Sequence, residues 1–313
     1  MTEKNTHAEP SIHIIGSNYE YTFSRGILAH TLIDFGVDYE QAYALALKIQ
    51  NIILDTYSDH LPIEISERTY ANCIEDAAQK YLPKDTSERV KLILEWQARG
   101  KPVIILLAGV EGNGGTSIAK SLADRFSISQ LVSTKYLANI LRKIIAPELA
   151  PELHSETYTA YEQLRPIDSV LSEDVLIGFV ENARFVTTAV EAIVRRALNE
   201  NISLIIRGEH ILPRYISKDI LTLPNILYSA VTISSRRVHL DRLIRSRSKE
   251  KKEEIILNYN SIRKINDYIV DISHEMDLMV LDNKNGIGNS LHELTVEILK
   301  RIPKLLGSEE KSE

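Results

Sequence analysis

Residues Leu106–Ser121, LLAGVEGNGGTSIAKS, constrain this chain more than any other stretch. An apolar run, Val103–Ala108, leads in, and a helical pattern of Ile118, Ala119, Leu122, Ala123 and Phe126 leads out. Strand, glycine-rich turn and helix, in that order, are the setting of a phosphate-binding loop, where glycines let the backbone curl until successive N–H groups point inward. The helix N-terminus adds its partial positive charge. The usual spacing is GxxxxGK(S/T). Here it runs Gly109-Val-Glu-Gly-Asn-Gly114-Gly115-Thr116, so a glycine holds the lysine position. The candidate nucleotide- or phosphate-binding residues of the loop are Gly109, Gly112, Asn113, Gly114, Gly115, Thr116 and Ser117, with the Thr116 hydroxyl where Mg²⁺ would be met.

Downstream of the loop, strand and helix patterns alternate. Leu131–Ser133, Leu204–Arg207, Ile226–Ile233 and Leu278–Leu281 read as strands. Lys135–Ala146, Ser172–Asn199, a stretch from Ser235 to Ser273 broken near Lys249–Glu253, and Ser290–Arg301 read as helices. Such alternation predicts an α/β fold with a parallel sheet covered on both faces. Upstream, after a polar tail and a short extended piece at Ser11–Ile15, four helices follow one another. Ser24 caps the first, which Gly36 ends; Asp38 and Ser66 open the next two; Thr86 or Ser87 opens the fourth. Tyr39, Tyr43 and Trp96 read as the core of this small bundle. Lys101-Pro102 interrupts the helical pattern, which divides the chain into a helical domain, residues 1–99, and an α/β domain, residues 100–313.

Bulk properties exclude some classes of function. A net charge of −6 over 313 residues argues against whole-surface nucleic-acid binding. No run approaches membrane-spanning length and the polar start has no signal-peptide character. One cysteine, Cys73, forms no intrachain disulfide and reads as a packing residue. A cytoplasmic location is the expectation.

Several segments, in order, resemble the archaeal 2-phosphoglycerate kinase family: residues 21–50 (YTFSRGILAHTLIDFGVDYEQAYALALKIQ), the loop at 109–117, residues 141–165, 178–198, 205–213 (IIRGEHILP), 238–247 (VHLDRLIRSR) and 261–270. The resemblance implies an adenylate-kinase-like P-loop domain behind a small helical ATP-cone-like domain. The family activity it implies is ATP- and Mg²⁺-dependent phosphorylation of 2-phosphoglycerate to 2,3-bisphosphoglycerate. It also implies phosphate-binding roles for Arg242 and Arg245, and an acceptor site drawn from Arg142, His154, Tyr158, Arg165 and His210.

The departures from the family pattern bear on activity. Gly115 replaces the loop lysine. A threonine-aspartate pair, followed by arginine and glutamate, becomes Thr134-Lys135, Ala138 and Asn139; a strand-ending glutamate-glycine becomes Arg207-Gly208; an acidic pair becomes Ser234-Ser235. Loss of one charged donor in such a site typically costs ~10²–10³ in rate, and Lys135 and Arg207 reverse the charge where Mg²⁺ would be held. Glu111 adds a negative charge inside the loop. Two readings follow. In the first, the chain is a catalytically impaired or inactive relative that binds a nucleotide or a phosphorylated small molecule and serves regulation or assembly, with a protein partner or a second copy. In the alternative, it is an active kinase with a lysine such as Lys120 or Lys135 standing in. Within the basic cluster at 236–252 the lysines read as a solvated helix face, which leaves polyanion binding the weakest reading.

Overall fold

A computed structural model describes residues 11–16, 19–57, 62–163, 172–245 and 247–306. The chain divides into two compact units, Met1–Arg99 and Gly100–Glu313.

The first unit contains β1 (Ile12–Ile15), β2 (Glu20–Thr22), α1 (Arg25–Asp34), α2 (Tyr39–Tyr57), β3 (Ile63–Ser66), α3 (Glu67–Tyr81) and α4 (Lys84–Arg99). Ser24 and Ser66 cap α1 and α3 by accepting from the Ile27 and Thr69 N–H groups. The last helix starts at Lys84, ahead of Thr86, because the Pro83 carbonyl already accepts from the Thr86 and Ser87 N–H groups. The unit is more than a bundle: β1 pairs with β2 antiparallel and with β3 parallel. β1 matches the extended piece read at Ser11–Ile15, whereas β2 and β3 escaped, because β2 is three exposed residues and β3 offers only two apolar positions. Ile14, Leu32, Leu45, Ile49, Ile93 and Trp96 are buried here. Tyr39 and Tyr43 are not core: they are 63% and 38% exposed, their ring centroids 4.8 Å apart. With Leu47 they recur every four residues along the flank of the α2 stripe, so its apolar width overstates the buried face.

The second unit runs β4 (Ile104–Ala108), α5 (Gly115–Arg125), β5 (Gln130–Ser133), α6 (Thr134–Ile144), α7 (Ser172–Asn199), β6 (Leu204–Gly208), α8 (Lys218–Leu221), β7 (Ile226–Thr232), α9 (Arg236–Ile244), α10 (Lys249–Glu275), β8 (Met279–Asp282) and α11 (Ile287–Leu306). Single 3₁₀ turns lie at Pro151–His154, Ala160–Gln163 and Pro213–Tyr215. The five strands are all parallel, in the order β5-β6-β4-β7-β8. Ile104, Leu106 and Ala108 share a core with Phe179 and Val190 of α7 and Ile262 and Ile265 of α10. Ile105 and Leu107, equally buried, point to the opposite face, and α5 packs against β4, β5, β6 and α11. The long helical stretch breaks between Ile244 and Lys249, ahead of the expected Lys249–Glu253, because the Ser248 hydroxyl caps α10 and starts it at Lys249.

Candidate phosphate-binding site

A parallel sheet places ligands beyond the carboxyl ends of its strands. There the loop after β4 meets the ends of β5 and β6 around a cavity of about 290 Å³. Loop residues from Gly109 to Thr116 line it, with Ser133, Thr134, Lys135, Arg207, Gly208, Glu209 and Arg247. Register explains the meeting: Leu107 pairs with Arg207 and Ala108 with Gly208 on one side of β6, while Ser133 pairs with Arg207 on the other.

Side-chain amides hold the loop in shape. Asn113 is buried; its Nδ2 donates to the Val231 carbonyl at 2.8 Å and its Oδ1 accepts from the Gly115 N–H at 2.8 Å. Asn283, after β8, donates from Nδ2 to the Asn113 carbonyl at 2.7 Å. His239 of α9 donates from Nε2 to the Glu111 carbonyl at 2.8 Å, with Arg263 donating to its Nδ1 at 3.4 Å. Burial holds the His239 ring neutral, its pKa down at about 4. Gly114 stands at φ +87, and a Cβ there would meet Asn283 Nδ2 at 2.2 Å. Among the described residues, no group accepts from the N–H groups of Val110, Glu111, Gly112, Asn113, Gly114 or Thr116, which leaves a curl of free donors at the N-terminus of α5.

The charges in the cavity are unusual for such a loop. Glu111 Oε1 lies 2.8 Å from Lys135 Nζ and its Oε2 lies 3.1 Å from Arg247 Nη2. Burial pushes the Glu111 carboxyl up, but Lys135, Arg247 and Lys251 outweigh it and hold it below the ordinary carboxylate value. Burial likewise pulls Lys135 down, and the carboxylates of Glu209, Glu111 and Glu156 hold it above its usual value. Glu209 is 7% exposed and accepts from the Thr157 hydroxyl at 2.9 Å. Desolvation pushes its pKa up to about 7, against the pull of Lys135. Arg207 is half-buried, lines the cavity and donates to no described group. A guanidinium without a partner among the described residues leaves its planar fork of donors open to an anion.

Comparison with known proteins places these residues in a family. No protein-family model matches the chain. The 2-phosphoglycerate kinase of Methanopyrus kandleri is 31% identical over 292 residues, covering 91% of this chain and 87% of its own length. The chain belongs to the 2-phosphoglycerate kinase family. The enzymes of that name from Methanothermobacter thermautotrophicus and Pyrococcus furiosus are also 31% identical. They cover 86% and 89% of this chain, and 88% and 92% of their own lengths. Among solved structures, a shikimate kinase from Acinetobacter baumannii in complex with shikimate aligns over 67% of this chain and 98% of its own. It does so at 12% identity and TM-score 0.39, a superposition too loose to carry weight beside the strand order itself.

The residues that the 2-phosphoglycerate kinase resemblance singles out fall in several places. Gly109, Gly112, Asn113, Gly114, Gly115 and Thr116 line the cavity; Ser117 does not, its N–H donating to the Gly114 carbonyl. Arg242 clasps the Asn283 and Lys284 carbonyls at 3.0 and 3.2 Å, and Arg245 is exposed; neither lines the cavity. Arg247, two residues on, does. Arg142 binds the carbonyls of Leu153 and Ser155, and His154 the carbonyl of Ile145, so both brace the turn after α6. Tyr158 donates to Glu254 Oε1 at 2.5 Å and accepts from Lys251 Nζ at 3.0 Å. Lys251 is therefore part of a network beside the cavity and not of a solvated face; Lys249 is exposed. His210 is buried, shares a hydrogen bond with Thr134 at 2.8 Å, and is pushed down to about 3 by desolvation, Lys135 and Arg142. Arg165 lies outside the described residues. Sequence reasoning missed Glu209 and the placement of Arg247. Glu209 follows the end of β6, and only the β4–β6 register brings it to the cavity. Arg247 lies within the basic cluster at 236–252, and only its position between α9 and α10 sets it apart.

Of the expected Mg²⁺ contacts, the Thr116 hydroxyl lines the cavity, but the carboxylates beside it suit a divalent cation poorly. The cavity offers the carboxylates Glu111 and Glu209 against the cations Lys135, Arg207 and Arg247. Glu111 is committed to two of those cations, and Glu209 is buried with a pKa near neutrality. Among the described residues, no group of three or more His, Cys, Asp or Glu side chains is placed to hold a metal ion. Mg²⁺ is usually held by one or two carboxylates beside substrate phosphates and waters, and here neither carboxylate is free of a cation or of burial. Nor is any helix among the described residues long and apolar enough to cross a membrane.

Proposed function

We propose that this member of the 2-phosphoglycerate kinase family is a P-loop protein that binds the phosphate of a nucleotide or a phosphorylated small molecule and has lost efficient phosphoryl transfer. The observation that carries the reading is the contrast between the loop and its charges. The curl of free N–H groups is intact and braced, while no ammonium stands at Gly115 and the Glu111 carboxylate ties up Lys135 and Arg247. Phosphoryl transfer is mostly positioning and charge stabilisation, so a loop with the right shape and misplaced charges binds better than it reacts. The role that follows is regulation or assembly in the cytoplasm, through a protein partner or a second copy. The N-terminal unit belongs to this proposal as an ATP-cone-like module. The test has two parts on purified full-length protein. Thermal shift with phosphate, ADP and ATP is expected to rise with concentration. Transfer from MgATP to 2-phosphoglycerate is expected to be absent, and a measurable rate removes the inactive reading.

The active-kinase alternative has one observation in its favour: Lys135 brings an ammonium into the cavity from the start of α6. If Lys135 serves as the missing loop cation, the wild type turns over and Lys135→Ala does not.

A further inference from the structure

We infer that the cavity takes its phosphate as a free anion, without a divalent cation, and that Arg207 supplies the positive charge a metal ion would bring. The inference rests on the phosphate-binding reading above and narrows its ligand class to metal-free phosphate esters and diphosphates.

Three observations on the page converge. Arg207, next to last in β6 and in register with Leu107, lines the cavity, and its guanidinium has no partner among the described residues. Every other cation of the cavity is already engaged: Lys135 and Arg247 both lie against Glu111. The carboxylates give a metal little hold, since Glu111 is ion-paired, Glu209 is buried and three cations line the same cavity. A half-buried arginine without a counter-charge is uncommon, because a desolvated charge is costly unless an anion or water meets it. Five N–H donors in a planar fork match two phosphate oxygens at once, a geometry that Mg²⁺ would otherwise enforce through its own coordination shell. The loop N–H groups then hold the remaining oxygens. A metal-bound phosphate presents less negative charge and fewer free oxygens to Arg207, so Mg²⁺ acts here as a competitor for the ligand.

The experiment is calorimetric titration of the full chain with pyrophosphate and with ADP, each in excess EDTA and in excess Mg²⁺. Binding is expected in EDTA and is expected to weaken when Mg²⁺ sequesters the ligand. Arg207→Ala is expected to weaken binding in EDTA by roughly ten- to a hundredfold, the usual effect of a charge-assisted contact. Arg207→Lys keeps part of the affinity, and Lys249→Ala, an exposed change outside the cavity, keeps all of it. Far-UV circular dichroism on each variant checks folding. Binding that requires Mg²⁺, or an Arg207→Ala protein that binds as the wild type does, overturns the inference while leaving the phosphate-binding reading intact. No binding of either anion under any condition overturns both.

Discussion

Returning a lysine to the loop, Gly115→Lys, tests how much of the site's weakness lies in one missing charge. The backbone at Gly115 is ordinary helix, and a Cβ there would meet one close neighbour, Asn113 Oδ1 at 3.0 Å, with the next atoms at 3.8 Å. Asn113 must give by a few tenths of an ångström, loosening its bond from the Gly115 N–H, which costs about 0.5–1 kcal/mol. Replacing glycine in a helix returns about 0.7 kcal/mol, so the variant should fold with near-native stability. The gain is in binding. A new charge-assisted contact to a phosphate contributes about 1.5–3 kcal/mol, or roughly ten- to 150-fold in affinity. Calorimetry with ADP and pyrophosphate, using Gly115→Ala as the steric control, reads this directly. Phosphoryl transfer to 2-phosphoglycerate is expected to stay absent in the single variant, because Arg207 still occupies the strand end. If the lysine and alanine variants bind alike, the loop is not the phosphate site and the reasoning fails.

Glu111→Gln should free Lys135 and Arg247 and tighten pyrophosphate binding by about three- to tenfold, a modest gain because exposed ion pairs are each worth about 0–1 kcal/mol; weaker binding would show that the carboxylate supports the site. Glu209 predicts a pH effect on stability. Its folded pKa, about 7, stands above the ordinary 4.5, so its contribution is complete below 4.5 and is lost as pH rises through about 7, by up to ~3 kcal/mol. His210 and His239, both depressed, pull the other way. The measurement is therefore the difference in denaturant stability between wild type and Glu209→Gln, and a difference independent of pH refutes the assignment. Gly114→Ala should destabilise by about 1–3 kcal/mol, since it places a Cβ against Asn283 at φ +87; an unchanged melting temperature would mean the brace is slack.

The architecture was largely legible because its signals are local. Proline and glycine punctuation, capping serines at 24 and 66, and apolar runs at 104–108 and 226–232 are each readable without knowing their neighbours. The loop was legible for the same reason. Short strands escaped because Glu20–Thr22 and Ile63–Ser66 show too few alternations to register. Tyr39 and Tyr43 misled because aromatic residues mark both cores and helix flanks. The electrostatics of the site depend on distances across the sheet. That Glu111 reaches Lys135 and Arg247, that the Arg207 guanidinium meets no partner among the described residues, and that Arg142 and His154 bind carbonyls are facts of packing, which spacing along the chain does not encode.

The amide clamp formed by Asn113, Asn283 and the Val231 carbonyl has a consequence for how the loop could change over time. In a loop moulded by its ligand, losing the lysine would also unmake the curl. Here neutral side chains carry the curvature, so the cation was dispensable to the backbone's form. The socket is free to drift in chemistry while its contour stays put, and an incoming anion should dock without first ordering the chain around it.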